Sequence, residues 1–142
     1  MPIRKATLAD SSKIQDLLIQ MGYPDTGNFI LKKMELLLSH PDEALLVYEE
    51  SDKVLAFISI HFIPQIALEG DFARISYFAV DETARSNGIG KKMEAYCVAM
   101  AQERNCDRIE LHSHSRRTDA HRFYDRQGYN EVPKYLVKSL KS

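Results

Sequence analysis

Residues 80–91 read VDETARSNGIGK, and this stretch decides the fold. A strand-like run ends at Val80, and from Gly88 onward apolar side chains follow at helical spacing: Ile89, Met93, Tyr96, Cys97 and Met100. The polar residues between predict a loop that leads into the N-terminus of a long helix. Such an N-terminus exposes unpaired N–H groups, and glycine lets an anion approach the backbone closely. The stretch therefore predicts an anion site, to which Arg85 and Lys91 add positive charge.

Three other interpretations fit this loop less well. Asn87-Gly88 is typical of a hairpin turn, but helical spacing follows it instead of a second strand. A dinucleotide-binding fingerprint needs a third glycine where Met93 stands. A P-loop needs glycine and Ser or Thr at offsets around Lys91 that the sequence lacks. A loop of this type that binds no ligand stays open at this point.

Patterns along the rest of the chain alternate between helix and strand. The expected strands are 3–6, 44–48, 54–63, 72–80, 108–113 and two within 129–140, separated at Pro133. The expected helices are 7–21, 28–39, one from Gly88 to near Asn105, and 118–127. This order predicts one mixed α/β domain over residues 1–142, without an internal repeat or a linker.

Composition argues against several kinds of partner. The formal net charge is −1 and the basic residues are scattered, so we expect no nucleic-acid partner. Apolar runs such as 54–60 are far shorter than the roughly 20 residues that cross a bilayer, and no signal segment is evident, so we expect no membrane partner. Cys97 and Cys106 are too few for a disulfide scaffold and lack metal-ligand spacing. We therefore expect a cytoplasmic, reduced protein with no metal site.

A second motif lies at residues 120–129, which read AHRFYDRQGY. It predicts a short helix that ends at Gly128 and continues into an aromatic strand. Phe123 is expected in the core, whereas the Tyr124 phenol either reaches the mouth of the sheet or is one more core side chain.

The two motifs together resemble the GNAT superfamily of N-acetyltransferases. The matching residues are Arg85-x-x-Gly88-x-Gly90 after a strand, and then Phe123-Tyr124-x-x-x-Gly128-Tyr129. The likeness covers nearly the whole chain. Within the superfamily, residues 117–129 are most similar to bacterial aminoalkylphosphonate N-acetyltransferases.

The resemblance implies both a fold and a cofactor site. The implied fold is a single α/β (α+β mixed) domain with a mixed, mostly antiparallel twisted sheet of six or seven strands and helices on both faces. Its fourth and fifth strands, 72–80 and 108–113, splay apart to hold the cosubstrate acetyl-CoA. Tyr124 matches the family's tyrosine near the sulfur, where it can donate a proton to the departing thiolate. The implied cofactor-binding residues are Phe78, Ala79, Val80, Arg85, Ser86, Asn87, Gly88, Ile89, Gly90 and Lys91.

The general base departs from the family pattern. Many relatives carry a glutamate on the fourth strand, where this chain reads Arg74-Ile75-Ser76-Tyr77. Other relatives place a carboxylate on the fifth strand, and the matching position is His112, whose reference pKa of about 6.5 suits a base. His112 could equally pack in the sheet. Glu110 and His114 would share its strand face, but one strand cannot aim three side chains at a single metal ion.

The acceptor residues are less sharply marked. Arg117, with Arg116, is a candidate for an anionic substrate group, or the pair is solvated charge before a helix. Glu69 and Asp71 could attract a cationic amine, or they are surface acids. Tyr23 is a further candidate for lining the acceptor pocket.

The sequence thus predicts an acetyl-CoA-dependent N-acetyltransferase. It moves an acetyl group to the primary amine of a small molecule by direct attack in a ternary complex. The alternatives are a protein or peptide N-acetyltransferase and a non-catalytic acyl-CoA-binding module. A homodimer is a further expectation from the resemblance.

Overall fold

The computed structural model describes residues 2–113, 117–132 and 135–141. The chain divides into two compact units, Met1–Leu111 and His112–Ser142. In the first unit, one sheet has the strand order β1-β2-β3-β4-β5. Its strands are β1 (Ile3–Lys5), β2 (Glu43–Glu50), β3 (Lys53–Ile63), β4 (Asp71–Val80) and β5 (Cys106–Leu111). All neighbours pair antiparallel except β4 and β5, which are parallel. The sheet is therefore mixed and mostly antiparallel, as predicted.

β3 and β5 pair with different lengths of β4. Pairing with β3 extends to Val80, which lies opposite Ala56. Pairing with β5 ends at Ile75 and Leu111, five residues before β4 itself ends. At the same place Ser59 lies opposite Tyr77 while Ile60 lies opposite Ile75, so Ser76 is the extra residue of a β-bulge. An end of pairing at this point is what the predicted separation of the two strands requires.

Helices cover both faces of the sheet, in agreement with the prediction. One apolar cluster joins α3 (Ile89–Glu103) to strand residues such as Ile58 and Ile75. The other joins α1 (Ser11–Met21) and α2 (Ile30–Ser39) to Val47 and Phe57 on the opposite face. Because β-strand side chains alternate, neighbouring residues of β3 serve the two cores in turn.

Helix ends in the first unit follow the sequence signals. A 3₁₀ turn at Leu8–Asp10 precedes α1, and the Asp10 carboxylate accepts from the Thr7 N–H at 2.8 Å. Arg4 donates to both oxygens of Asp10, which lowers the pKa of that buried carboxyl. Gly22 ends α1 with φ of 101°, a left-handed conformation that glycine adopts without strain.

On α3, burial raises the pKa of Cys97 to about 12, so this thiol is a core group.

The second unit holds α4 (Thr118–Arg126), which Gly128 follows with φ of 92°. The prediction of six or seven strands was wrong, because the described residues form five. The described parts of 129–140 belong to no strand, and Val132, Leu136 and Leu140 are exposed there. An alternating pattern makes a strand only where a neighbouring strand accepts its hydrogen bonds. Pro133, the predicted break between the two strands, lies outside the described residues.

Two further predictions concern the end of β5 and the number of domains. β5 ends at Leu111, so His112 follows the strand instead of lying on it, and His114 is outside the described residues. One domain over residues 1–142 stays a prediction.

Candidate functional site

The second half of β4 presents the residues predicted to meet the cosubstrate. Phe78 and Val80 pack against the core beneath α3, and Ala79 is buried in the core beneath α1 and α2. Their side chains are thus committed to the two cores, and their backbone lies beyond the last pair between β4 and β5. A strand edge of this kind pairs readily with an extended ligand that carries amide groups.

A capped turn connects β4 to α3. Asp81, which is 5% exposed, accepts from the Thr83 N–H at 3.0 Å and the Thr83 hydroxyl at 2.7 Å, and so caps the 3₁₀ turn Glu82–Ala84. The same carboxylate forms an ion pair with Lys13 of α1. These contacts, Lys13 first, hold the pKa of Asp81 well below its ordinary range. The turn is therefore fixed to the body of the first unit by an ionised carboxylate.

Beyond the turn, the chain enters α3 through backbone in the left-handed region. Ser86 has φ of 75° and Gly88 has φ of 78°, and a Cβ added at Gly88 would meet no atom within 4 Å. Backbone turned in this way directs successive N–H groups toward one side, as in anion-binding loops. The strain at Ser86, a residue without glycine's freedom, is typical of functional loops.

The start of α3 offers backbone donors. Gly88 is the N-cap and makes no side-chain cap, and the first helical hydrogen bond runs from the Lys92 N–H to the Gly88 carbonyl at 3.1 Å. The N–H groups of residues 88–91 therefore precede the helical ladder. Ile89 is buried and anchors the turn, whereas Arg85, Ser86, Asn87 and Lys91 are exposed. The Arg85 Nε donates to the Val80 carbonyl at 3.3 Å, which holds this side chain beside the end of β4.

Tyr23, one of the residues predicted to line the acceptor pocket, lies next to β4. Its ring meets Tyr77 edge-to-face, with centroids 5.4 Å apart. Both rings are partly exposed, and Tyr77 adjoins the bulge at Ser76. The loop after α1 thus supplies an aromatic wall at the point where β4 loses its β5 partner.

The second unit carries three of the predicted site residues. The Tyr124 ring, half-buried on α4, contacts Phe123 and Tyr129 at centroid distances of 5.2 and 5.4 Å. The His112 ring lies 4.0 Å from that of Tyr135. Arg117 is exposed at the N-cap of α4. Their predicted roles as proton donor, base and acceptor-binding residue stay predictions.

Comparison with known proteins decides the family. The sequence profile of the "Acetyltransferase (GNAT) family" matches residues 13–129, which is most of the chain. The chain belongs to the GNAT acetyltransferase family. It is therefore an acyltransferase enzyme that transfers acetyl groups to amines. No curated protein matches the sequence.

Solved structures share the fold of this GNAT acetyltransferase at low identity. A transcriptional regulator from Bacillus halodurans C-125 has a TM-score of 0.90 and 21% identity, over 97% of this chain and 98% of that one. Glucosamine-6-phosphate N-acetyltransferase from Arabidopsis thaliana has a TM-score of 0.84 and 22% identity, over 98% and 97%. Ribosomal-protein-alanine N-acetyltransferase from Brucella melitensis biovar Abortus 2308 has a TM-score of 0.76 and 17% identity, over 96% and 98%. Their named activities differ, so these likenesses establish the fold alone.

Two acids predicted to bind the acceptor of this GNAT enzyme lie at the other end of β4. Asp71 is its first residue and is the register partner of Cys106, and Glu69 is exposed in the loop before it. At about 3.3 Å per residue, Asp71 is some 17 Å along the strand from Ser76. The structure brings Tyr23 to the bulge and does not bring Glu69 or Asp71 there. Their role in acceptor binding stays a prediction.

Sequence reasoning missed two polar contacts of this GNAT enzyme. One is the Lys13–Asp81 pair, whose members are 68 residues apart. The other joins Ser76, at the bulge, to His61 of β3 and through it to Glu43 of β2. A serine, a histidine and an acid on three strands carry no local signal, although strand register could have placed Glu43 opposite His61.

The described residues contain neither a cluster of metal ligands nor a membrane-spanning helix. No three His, Cys, Asp or Glu side chains among them lie together as metal ligands would. Nor does any helix in the described ranges have the length and apolar character needed to span a bilayer.

Proposed function

We propose that this GNAT enzyme uses acetyl-CoA to acetylate the primary amine of a small molecule, by direct attack in a ternary complex. The observation that carries the proposal is the continuity between two features of β4 and α3. The half of β4 that β5 does not pair leads, through the turn capped by Asp81, to the backbone donors at residues 88–91. Family membership supports the transfer of an acetyl group to an amine.

The residues present fit coenzyme A. A diphosphate suits the N–H groups of residues 88–91, because a helix N-terminus favours negative charge, and Arg85 and Lys91 add cationic groups. The absence of a side chain at Gly88 leaves the backbone open to close approach. The amides of the pantetheine arm suit the backbone of Phe78, Ala79 and Val80. Acetyl-CoA supplies the acetyl group as a thioester.

The residues of the chain then have three tasks. They must hold the amine nitrogen against the thioester carbon, because orientation supplies much of the acceleration in bimolecular reactions. The aromatic wall of Tyr23 and Tyr77 suits this positioning. They must take a proton from the amine, whose lysine-like reference pKa is about 10.4, and the sequence predicts His112 for that task. They must also donate a proton to the thiolate, and the family resemblance predicts Tyr124.

The acceptor class is proposed from the chain's own residues. Arg117 before α4 is a candidate for an anionic substrate group, as the resemblance to aminoalkylphosphonate N-acetyltransferases implies. Glu69 and Asp71 are the sequence's candidates for attracting a cationic amine, although they lie at the start of β4, away from the aromatic wall of Tyr23 and Tyr77. An aminoalkylphosphonate carries both charges in one small molecule, so it is the first acceptor to test.

The test has a binding arm and a turnover arm. A ligand that binds only the native state stabilises it by about 2.7 kcal/mol at a concentration of 100 Kd, so saturating acetyl-CoA should raise Tm by several degrees. Thiol release is then measured with 2-aminoethylphosphonate, spermidine, tobramycin and a peptide with N-terminal alanine. We expect turnover with a small amine. Turnover of the peptide alone would favour a protein acceptor, and no Tm shift would overturn the proposal.

Tyr124→Phe separates binding from chemistry. It should keep the acetyl-CoA-induced Tm shift and lower kcat by about a hundredfold, since general acid catalysis typically contributes 10²–10⁴-fold. Unchanged turnover would remove Tyr124 from the mechanism. Phe123→Leu, next to it on α4, is the matched control for disturbance of the helix.

A further inference from the structure

Three polar side chains form a chain across β2, β3 and β4. Glu43 lies opposite His61 in the strand register and forms an ion pair with its Nδ1. The other ring nitrogen, His61 Nε2, lies 2.6 Å from the Ser76 hydroxyl oxygen. His61 shares its strand face with Phe57, which packs beneath α1 and α2. A hydroxyl, an imidazole and a carboxylate in this order are the elements of a proton relay.

The relay reaches the candidate site through Ser76. This residue is the extra member of the β4 bulge, it is exposed, and it follows Ile75, the last residue that pairs with β5. Bulges redirect side chains and are common beside active sites. Its neighbour Tyr77 meets Tyr23, so the hydroxyl lies beside the aromatic wall proposed for the acceptor. His61 and Glu43 are half-buried behind it, with side chains 25% and 19% exposed.

The same neighbours face the imidazole in both protonation states. When the proton of a neutral His61 is on Nδ1, beside the Glu43 carboxylate, Nε2 can accept a hydrogen bond from the Ser76 hydroxyl. When His61 is charged, Nε2–H donates to the Ser76 oxygen, whose proton turns to the Ser59 carbonyl at 3.4 Å. A proton can therefore enter at Ser76 and reach Nε2 without leaving a buried donor unpaired.

Other charged groups border the relay on the side of β5. Arg74 is the register partner of His61 and donates to Glu110 at 3.2 Å, and Arg108 pairs with the same carboxylate at 2.8 Å. Glu43 is thus the acid in contact with His61, while Glu110 is held by two arginines. Opposite charges surround the imidazole on its two sides, which suits a group that must both gain and lose a proton.

We propose that Ser76, acting with His61 and Glu43, accepts the proton that the acceptor amine loses. An N–H bond of the ammonium form breaks, the Ser76 oxygen takes that proton and passes its own to His61 Nε2, and the nitrogen lone pair freed in this way attacks the thioester carbon. Glu43 stabilises the imidazolium, which later releases the proton to water. A C–N bond forms as the C–S bond breaks, and the thiolate leaves with the electron pair of the C–S bond. The second proton that the nitrogen loses goes to that thiolate, for which Tyr124 is the predicted donor. This assignment rests on the proposed function. It puts Ser76 and His61 in place of the predicted base His112, at the strand where many relatives carry the carboxylate that this sequence lacks.

Kinetics with the acceptor that the enzyme turns over fastest among the four amines above test the relay. Ser76→Ala and His61→Gln should each lower kcat at pH 7 by about a hundredfold and leave the acetyl-CoA-induced Tm shift intact. The deficit should shrink toward pH 10, because more of the amine is then already deprotonated. Ser76→Thr keeps a hydroxyl and should keep most of the turnover. His40→Ala, a histidine in the loop before β2, is the matched control.

Several outcomes would overturn the relay while the proposed function survives. One is an active wild type whose pH–rate profile is unchanged in Ser76→Ala and altered in His112→Ala. Another is an acetyl group on Ser76, seen by mass spectrometry after acetyl-CoA is added without amine, since Ser76 would then be a nucleophile. If the wild type binds acetyl-CoA but acetylates none of the amines, the proposed function fails and the relay with it.

Nitrogen-15 NMR gives a readout that does not depend on turnover. In the wild type, the neutral His61 ring should carry its proton on Nδ1, because the Glu43 carboxylate faces that nitrogen. Glu43→Gln should mix the two tautomers. A His61 ring with the same tautomer in both proteins would contradict the contact on which the relay depends.

Discussion

The two halves of β4 differ in what surrounds their backbone. Residues 72–75 pair with β3 on one side and β5 on the other, whereas the register with β5 stops before residues 76–80. In the first half Ala73 and Ile75 are buried, and in the second half Ser76 and Tyr77 are exposed. One strand thus contributes side chains to the cores along its length, whereas only its second half has a backbone edge that β5 does not pair. The place where β5 ends determines the change.

This difference predicts that substitutions in the two halves have separable effects. The free energy of unfolding should depend mainly on the first half, and ligand binding on the second half and the turn that follows it. Substitutions in the two halves of β4, in the turn and at two glycines test that separation.

Ile75→Ala should have the largest effect. Ile75 is 4% exposed and packs in the core beneath α3, so its truncation should reduce the free energy of unfolding by about 2–5 kcal/mol, through lost burial and the cavity left behind. Urea unfolding measures the change. Acetyl-CoA should still raise the Tm of the variant, because the donors at residues 88–91 are unchanged.

Tyr77→Ala is the control from the second half. This side chain is 39% exposed and its edge-to-face contact with Tyr23 is of a type worth about 0.5–1.5 kcal/mol, so the loss of stability should be smaller. If Ile75→Ala unfolds no more easily than Tyr77→Ala, the division of β4 is not the one described.

Asp81→Asn should have the next largest effect. Asp81 follows β4 directly, is buried, caps the turn and pairs with Lys13, and removal of one partner from such a pair leaves a cation uncompensated. Because the Lys13 side chain is 34% exposed, we expect a loss of about 2–3 kcal/mol at pH 7, below that of a fully buried pair. Urea titrations at several pH values measure it.

The pH dependence of that loss has a definite sign. The pKa of Asp81 is lower in the folded chain than in the unfolded chain, so its contribution is fully present above the unfolded pKa of about 3.9. It is lost as the pH falls from there toward the lower folded pKa. The wild type and Asp81→Asn should therefore converge in stability in acid. Asp119→Asn, from an exposed pair with Arg122, should show no such convergence.

The sequence was sufficient for the parts of this site that depend on local pattern. The change from strand to helical spacing around residues 80–89 predicted the connection between β4 and α3, in which the structure shows Gly88 with left-handed backbone. These features depend on residues that are close together in the sequence, and the local pattern is therefore enough to predict them. The function of GNAT type followed from the same residues and the match over 13–129.

Features set by distant contacts could not be predicted in this way. The two strands expected within 129–140 failed because alternation does not supply a partner strand. The contact between His61 and Ser76 depends on a bulge, which shifts the register by one residue and which no residue type signals here. Once the register is known, it places Glu43, His61 and Ser76 next to one another.

Two glycines give the finest test of the separation between stability and binding. Gly88 and Gly22 both have positive φ, and a Cβ added at either would meet nothing within 4 Å. Alanine at either position should therefore reduce the free energy of unfolding by a similar amount, about 1–2 kcal/mol, from left-handed backbone alone. Gly22 ends α1, whereas Gly88 begins α3 at the proposed diphosphate site.

The two substitutions should differ in their effect on the affinity for acetyl-CoA, because only a methyl group added at Gly88 would lie in front of the N–H donors of α3. Gly88→Ala should weaken acetyl-CoA binding by at least tenfold in isothermal titration calorimetry, and Gly22→Ala should leave it unchanged. Equal binding by the two variants would place the diphosphate away from Gly88, even if both lost the same stability. A weaker affinity in both would mean that backbone strain, and not access to the amides, controls the site.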